Sequence, residues 1–297
     1  MINLDNMTTE KQNSKSSDLD TLSLKDILRL MNEEDATVAN SVNLELENIE
    51  KAVLFVSDSF KKGGRLIYMG AGTSGRLGVL DAVECPPTFG TEPSMVVGLI
   101  AGGEKAFVRA VEGAEDDLTL AEKELIEINL TKDDTVIGIA ASGRTPYVIG
   151  GFKYANSVGS KTVSITCNKN SETSKHANVA IEVVTGAEVL TGSTRLKAGT
   201  AQKIVLNMIS TASMISIGKV YKNFMVDVKQ SNKKLCVRAQ NIVMEITSCT
   251  REVATEYLII SDGNAKIAIV MLLLNCDKDF AIKKLAVSGG HIRKAIN

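Results

Sequence analysis

Residues 65–92, RLIYMGAGTSGRLGVLDAVECPPTFGTE, constrain what this chain can fold into more than any other stretch. A short apolar run, 66–69, reads as a buried strand. Gly70, Gly72 and Gly75 follow at once, with Thr73 and Ser74 between them, and Leu77, Val79, Leu80 and Val83 then recur with a helical period. Strand, glycine turn, helix is how a parallel α/β sheet presents an anion site. Glycine lets the backbone come close, and the first N–H groups of the helix lack internal partners. Thr73 and Ser74 add hydroxyl donors there. Two nucleotide patterns share the spacing. Gly70-x-Gly72-x-x-Gly75 fits the dinucleotide fingerprint, but that site also needs an acidic residue after the next strand. The run 95–100 leads into Ala101, Gly102 and Gly103 with no acid before Glu104. Gly70 and Gly75 also have P-loop spacing, yet Arg76 and Leu77 stand where Lys and Ser/Thr belong, so nothing is supplied for Mg²⁺. A monophosphate ester cradled by Ser and Thr is the better physical fit.

The bulk numbers narrow the class. The 297 residues, 44% of them hydrophobic, suffice for one large domain or two modest ones. A formal net charge of -1 argues against a nucleic-acid or membrane surface as partner. No apolar run has the length of a membrane span, and the N-terminus lacks the apolar core of a signal peptide, so a cytoplasmic location is expected. Cys85, Cys167, Cys236, Cys249 and Cys276 form no C-x-x-C pair, which suggests reduced thiols and no zinc site. With only His176 and His291, a His-based metal site or triad is disfavoured, and carboxylates are left to carry any chemistry.

Taken in order, residues 1–20 are polar and expected to be disordered. Ser23 and Asp26 mark a helix start, Glu33, Glu34 and Asp35 form an acidic cluster, and a long helix is expected over 36–61. The acidic cluster is either a solvated helix end or an arm reaching a partner subunit. Pro86 and Pro87 should stop the next helix near Cys85, which places Glu84 at a helix C-terminus, where the dipole favours a protonated carboxyl. A second acidic cluster, 112–117, straddles a helix end. Asp116 and Asp117 read there as caps of a helix over 118–128, while Glu115 stays open. The apolar strand 135–140 leads into Ser142, Gly143, Arg144, Thr145 and Pro146, repeating the Ser-Gly-Arg of 74–76. Two such loops on neighbouring parallel strands can converge on one ligand. Strands are also expected at 161–166 and 179–184. A third Gly/Ser/Thr turn, with Ser193 and Thr194, precedes a buried helix over 202–217. From about 232 the chain reads as a small helical domain, 232–297, after a region at 21–231 that carries the three glycine turns.

GAGTSGRLGVLDAVECPPTFG, VEGAEDD, ASGRTPY and EVLTGSTRLKAGTAQK together resemble the bacterial N-acetylmuramic acid 6-phosphate etherases, over essentially the whole chain past the polar tail. That family resembles sugar isomerase domains and is distantly related to the glucokinase regulatory protein. The resemblance implies an α/β parallel-sheet sandwich with helices on both faces, a sugar isomerase-type phosphosugar-binding domain at 21–231, and a small C-terminal helical domain. It implies cleavage of N-acetylmuramic acid 6-phosphate to N-acetylglucosamine 6-phosphate and D-lactate in cell-wall sugar recycling. A homodimer without metal, nucleotide or other cofactor is implied as well. The family's two catalytic glutamates map onto Glu84, as the acid assisting lactate departure, and Glu115, as the base at C2. Phosphate contacts are expected from Ser74, Ser142 and Thr145, with Thr73 and the N–H groups of Gly75 and Gly143 helping, and less directly from Ser193 and Thr194. A non-catalytic phosphosugar sensor, an aldose–ketose phosphate isomerase and a nicotinamide-dependent oxidoreductase are the rival readings.

Overall fold

The computed structural model describes residues 7–228, 230 and 233–297. The chain divides into two compact units. One comprises the residues up to Val83 and Ser94–Ser210, and the other Glu84–Pro93 and Thr211–Asn297.

The first unit opens with three short 3-10 turns at Thr8–Glu10, Ser14–Ser16 and Leu19–Thr21, followed by helices α1 (Leu24–Asp35), α2 (Val38–Asn43) and α3 (Leu46–Lys61). Alternation of strand and helix then builds the sheet. It runs through β1 (Leu66–Gly70), α4 (Gly72–Phe89), β2 (Val96–Ile100), α5 (Glu104–Val108), α6 (Leu120–Glu127), β3 (Thr135–Ile139), α7 (Pro146–Val158), β4 (Lys161–Thr166), α8 (Glu172–Lys175), β5 (Val179–Glu182) and α9 (Lys197–Ser216). The five strands are parallel in the order β2-β1-β3-β4-β5. Every residue of β1 and β3 is buried, as helices on both faces of a parallel sheet require. Ile67, Met69 and Val136 pack with Leu125, Tyr147, Val148 and Phe152 of α6 and α7. Tyr68 points the other way, and its hydroxyl donates to Asp81 of α4 at 2.8 Å; Asn207 and Ser210 of α9 donate to the same carboxylate at 2.7 and 3.2 Å. Small residues set the close packing. A Cβ on Gly138 would stand 2.5 Å from both Phe152 and Val148, and one on Gly78 would stand 2.9 Å from Tyr68.

The second unit holds a short antiparallel hairpin, β6 (Val220–Tyr221) and β7 (Phe224–Met225), and helices α10 (Lys233–Thr247), α11 (Arg251–Ile260), α12 (Ala265–Leu274), α13 (Lys278–Val287) and α14 (Ile292–Ile296). Its core is its own, built on Val243, Leu258, Ile269 and Met271. No single helix among the described residues is long and apolar enough to cross a membrane.

Three expectations need correction. Residues 7–20, expected to be disordered, are ordered, while residues 1–6 lie outside the described residues. Thr8 and Thr9 bond to Asn168, and Asn13 to Glu34 and Ala187, so polar partners far along the chain replace the apolar content that the segment lacks. The helix expected over 36–61 is broken between Asn43 and Leu46. The third is α4, which does not stop at Cys85. It carries Pro86 and Pro87 within it and ends at Phe89, where Gly90 (φ +62°) turns the backbone left-handed. Both prolines fit helical φ; each lacks the N–H of an i→i−4 bond and crowds the carbonyl four residues back, and the helix ends three residues after Pro86. Glu84 is therefore five residues inside the helix and not at its C-terminus.

Candidate functional site

In the strand order β2-β1-β3-β4-β5 the chain changes direction between β1 and β3, and outside the carboxyl ends of the strands at such a point is where open α/β sheets bind ligands. Gly70 at the end of β1 lies opposite Ile139 at the end of β3, so the turns after these two strands are neighbours. The turn after β1 is tight for a stated reason: a Cβ on Gly75 would stand 2.5 Å from the Gly70 carbonyl oxygen. Ser74, buried in the first turn of α4, donates its hydroxyl to Gln202 Oε1 of α9 at 2.9 Å. Thr73 lies beside Gly199, 3.6 Å from where that residue's Cβ would be.

The turn after β3 is held in a second way. Gly143 has φ +69°, and a Cβ there would lie 2.2 Å from Ser171. Ser142 Oγ accepts from the Arg144 N–H at 3.3 Å. Thr145 is the N-cap of α7, with Pro146 behind it, but its hydroxyl makes no cap bond. Ala141 packs with Cys167 and Ala198, which brings this turn against the start of α9. Burial pushes the Cys167 thiol up to about 12, so it is chemically inert. Ser193 and Thr194, half-buried, lead into α9, and the Gly199 N–H donates to the Thr194 carbonyl at 3.0 Å. The three Gly/Ser/Thr turns thus converge on one end of the sheet.

Four residues not singled out as site candidates in the sequence complete this region, three of them (Glu188, Lys197 and Gln202) inside the EVLTGSTRLKAGTAQK motif. Glu188, fully buried, accepts the Lys197 and Ala198 N–H groups at 3.0 and 2.9 Å and so caps α9. Burial raises its carboxyl above the usual range against those bonds. Asn168 donates to the carbonyls of Ala141 and Ser142 at 3.2 and 3.4 Å and accepts from Thr8, fastening the N-terminal segment to the turn after β3. Gln202 keeps its side-chain nitrogen buried without a partner, an orphan donor next to Ser74. Lys197, buried, donates to Glu34 at 2.6 Å. Glu34 is consumed inside its own chain by Lys197, Lys15 and Asn13, and is not a solvated helix end, whereas Glu33 and Asp35 are exposed. Burial alone would raise the Glu34 carboxyl, but the hydrogen bonds from Lys15 and Lys197 overcome it and hold the group at about 2.

The glutamates occupy separate settings. Glu115 is exposed in the 3-10 turn Ala114–Asp116, after the αL residue Gly113. It lines a cleft of about 220 Å³ with Ala71, Gly72, Arg76 and Glu112, immediately beside the turn that carries Thr73 and Ser74. Asp117 bonds to the Thr119 N–H and hydroxyl, which lowers its carboxyl. The helix begins only at Leu120, and its N-cap is Thr119, whose side chain makes no cap bond, and not Asp116 or Asp117 as expected. Glu84 is exposed on α4, in the segment Glu84–Pro93 of the second unit. Arg144 approaches the Met7 sulfur at 3.3 Å, and Arg76 donates to two backbone carbonyls. Among the described residues no group of three His, Cys, Asp or Glu side chains could hold a metal ion.

Comparison with known proteins gives three family matches: the glucokinase regulatory protein N-terminal SIS domain over residues 47–156, the SIS domain over 121–212, and the C-terminal lid domain of glucokinase regulatory protein over 222–262. The chain is 62% identical over 293 residues to the N-acetylmuramic acid 6-phosphate etherases of Bacillus cereus (strain 03BB102) and Bacillus mycoides (strain KBAB4), covering 99% of this chain and 100% of each relative. A phosphoheptose isomerase from Francisella tularensis, 14% identical, superposes with a TM-score of 0.51 over 65% of this chain and 100% of that one, which is a likeness of fold.

Proposed function

The chain belongs to the N-acetylmuramic acid 6-phosphate etherase family, and on that premise we propose how its own residues divide the work of a carbon–oxygen lyase. The substrate is N-acetylmuramic acid 6-phosphate, and the products are N-acetylglucosamine 6-phosphate and D-lactate, a step of cell-wall sugar recycling. The observation that carries the site assignment is the convergence of three Ser/Thr turns at the carboxyl ends of β1 and β3, beside the cleft that Glu115 lines.

An alkoxide is a poor leaving group, so direct displacement of lactate by water is slow. Opening the sugar ring exposes an aldehyde at C1, which acidifies the proton on C2. The Glu115 carboxylate removes that proton. The C3–O bond then breaks as Glu84, in its acid form, protonates the departing lactyl oxygen. Water adds its hydroxyl to C3 of the unsaturated aldehyde and C2 regains a proton, so one water is consumed and one lactate released. One ionised and one protonated carboxyl must coexist at a single pH, which separate environments permit. Ser74, Ser142 and Thr145 hold the 6-phosphate with Thr73 and the N–H groups of Gly75 and Gly143, and Ser193 and Thr194 border it. The proposal includes a cytoplasmic homodimer working without metal or nucleotide, and sedimentation of the purified chain tests the dimer.

The test of the reaction is D-lactate release from N-acetylmuramic acid 6-phosphate with a chelator present and no nucleotide. Release at a rate proportional to enzyme is expected. Phosphosugar binding without release would make the chain a sensor, and neither binding nor release would overturn the three-turn phosphate site.

A further inference from the structure

Resting on the lyase reading above, we propose that Arg76 recognises the carboxylate of the D-lactyl group. Arg76 is half-buried in the first turns of α4. Its Nε donates to the Phe107 carbonyl and its Nη2 to the Ala106 carbonyl, each at 2.8 Å. These bonds fasten the end of α5 to α4 and set the plane of the guanidinium. They use two of its five donors. Among the described residues it forms no ion pair with a carboxylate, although Glu112 and Glu115 line the same cleft. A clamped guanidinium with unused donors, facing a cleft of about 220 Å³, is built to receive a planar anion.

The substrate offers two anions, and the chemistry separates them. The phosphate is on C6, remote from the reacting carbons, and the Ser/Thr turns are placed to hold it. The lactyl oxygen is on C3, next to the C2 whose proton Glu115 takes, and the lactyl carboxylate is two bonds beyond that oxygen. The anion that enters the Glu115 cleft is therefore the lactyl carboxylate. Without Arg76 it would meet only the like charges of Glu112 and Glu115. The arrangement discriminates against phosphosugars that lack an acidic ether, because they leave the guanidinium without its partner.

The experiment compares N-acetylmuramic acid 6-phosphate with its lactamide analogue, in which the carboxylate is a neutral primary amide, on wild type, Arg76→Met and Arg76→Lys. Wild type is expected to lose on the order of 10- to 100-fold in kcat/KM on the amide, the worth of a hydrogen-bonded charge. Arg76→Met should fall by a similar factor on the acid and no longer prefer it over the amide. Arg76→Lys, which keeps the charge without the fork, should retain part of the preference, and it keeps the test readable should the Met variant fail to fold. C2 proton exchange on N-acetylglucosamine 6-phosphate, which has no lactyl group, should fall at least ten times less in Arg76→Met than lactate release does. Equal turnover of acid and amide by wild type overturns the role of Arg76 alone. An acid preference that survives in Arg76→Met does the same, as does an equal loss of exchange and release, which would make Arg76 only a clamp. A weaker inhibition by inorganic phosphate in Arg76→Met would reassign the residue to the phosphate. Absence of lactate release by wild type from the acid overturns the lyase reading itself.

Discussion

At the scale of single residues, the division of labour between the two glutamates separates two measurable events. Glu84→Gln should lower lactate release by roughly 10²- to 10⁴-fold, the usual worth of a general acid. C2 proton exchange on N-acetylglucosamine 6-phosphate should persist in that variant if, as proposed, Glu115 is its base. Equal loss of both activities would show that the roles are not divided this way. The Ser74–Gln202 bond makes a second prediction. Gln202 joins α4 to α9 and holds an orphan amide donor beside the first Ser/Thr turn. Gln202→Leu should raise KM for the phosphosugar several-fold while leaving the C2 chemistry of bound substrate largely in place. A drop in kcat with unchanged KM would assign Gln202 to the reaction instead. Both glutamates and the Ser/Thr residues were legible as motif members. Gln202 and Glu188 stand in the EVLTGSTRLKAGTAQK motif with no role that the sequence assigns, and Asn168 lies in no motif; what they do shows only in their partners, Ser74, the start of α9 and the turn after β3.

At the scale of elements, the start of the sheet depends on one buried carboxylate. Asp134, just before β3, accepts from the Arg65 N–H, Nε and Nη2 and from the Thr131 N–H. Burial would raise it, but the bonds from Arg65 and Thr131 hold it below its usual range. Asp134→Ala leaves Arg65 half-buried beside Ile128 and Asn129 carbonyls without its charge partner, and should cost roughly 3 kcal/mol in denaturant unfolding. A loss below about 1 kcal/mol would mean that water replaces the pair. The element boundaries show where periodicity misleads. The proline pair suggested a stop at Cys85, and the true stop is Gly90, the next residue able to turn left-handed. The start of α9 precedes the apolar run by five residues because Glu188 supplies its cap, a partner that lies outside the helix pattern.

At the scale of the whole molecule, the N-terminal segment is part of the first unit, and its attachment is partly ionic, through Lys15 on Glu34, beside the hydrogen bonds of Asn13 to Glu34 and of Thr8 to Asn168. The Glu34 carboxyl at about 2 lies below its ordinary 4.5. Its contribution is therefore complete above pH 4.5 and is lost as pH falls toward 2. Proteolytic protection of residues 7–20 should decline through that window, and Glu34→Gln should weaken protection at neutral pH and flatten its pH dependence. Protection that stays constant from pH 5 to 2.5 would show that Asn168 alone holds the segment. The sequence by itself determined the parallel α/β class, the three Ser/Thr turns, the two glutamates and the helical C-terminal region. All but the two glutamates, whose role the family resemblance implied, rest on local periodicity, glycine geometry and motif spacing, which are written within a few residues of one another. Only the tertiary structure decided that the polar N-terminus is ordered, that Glu34 is buried against Lys197, and that the lining of the Glu115 cleft includes Arg76. Each of these is a pairing of side chains brought together by the sheet, and no local pattern encodes a partner across that distance.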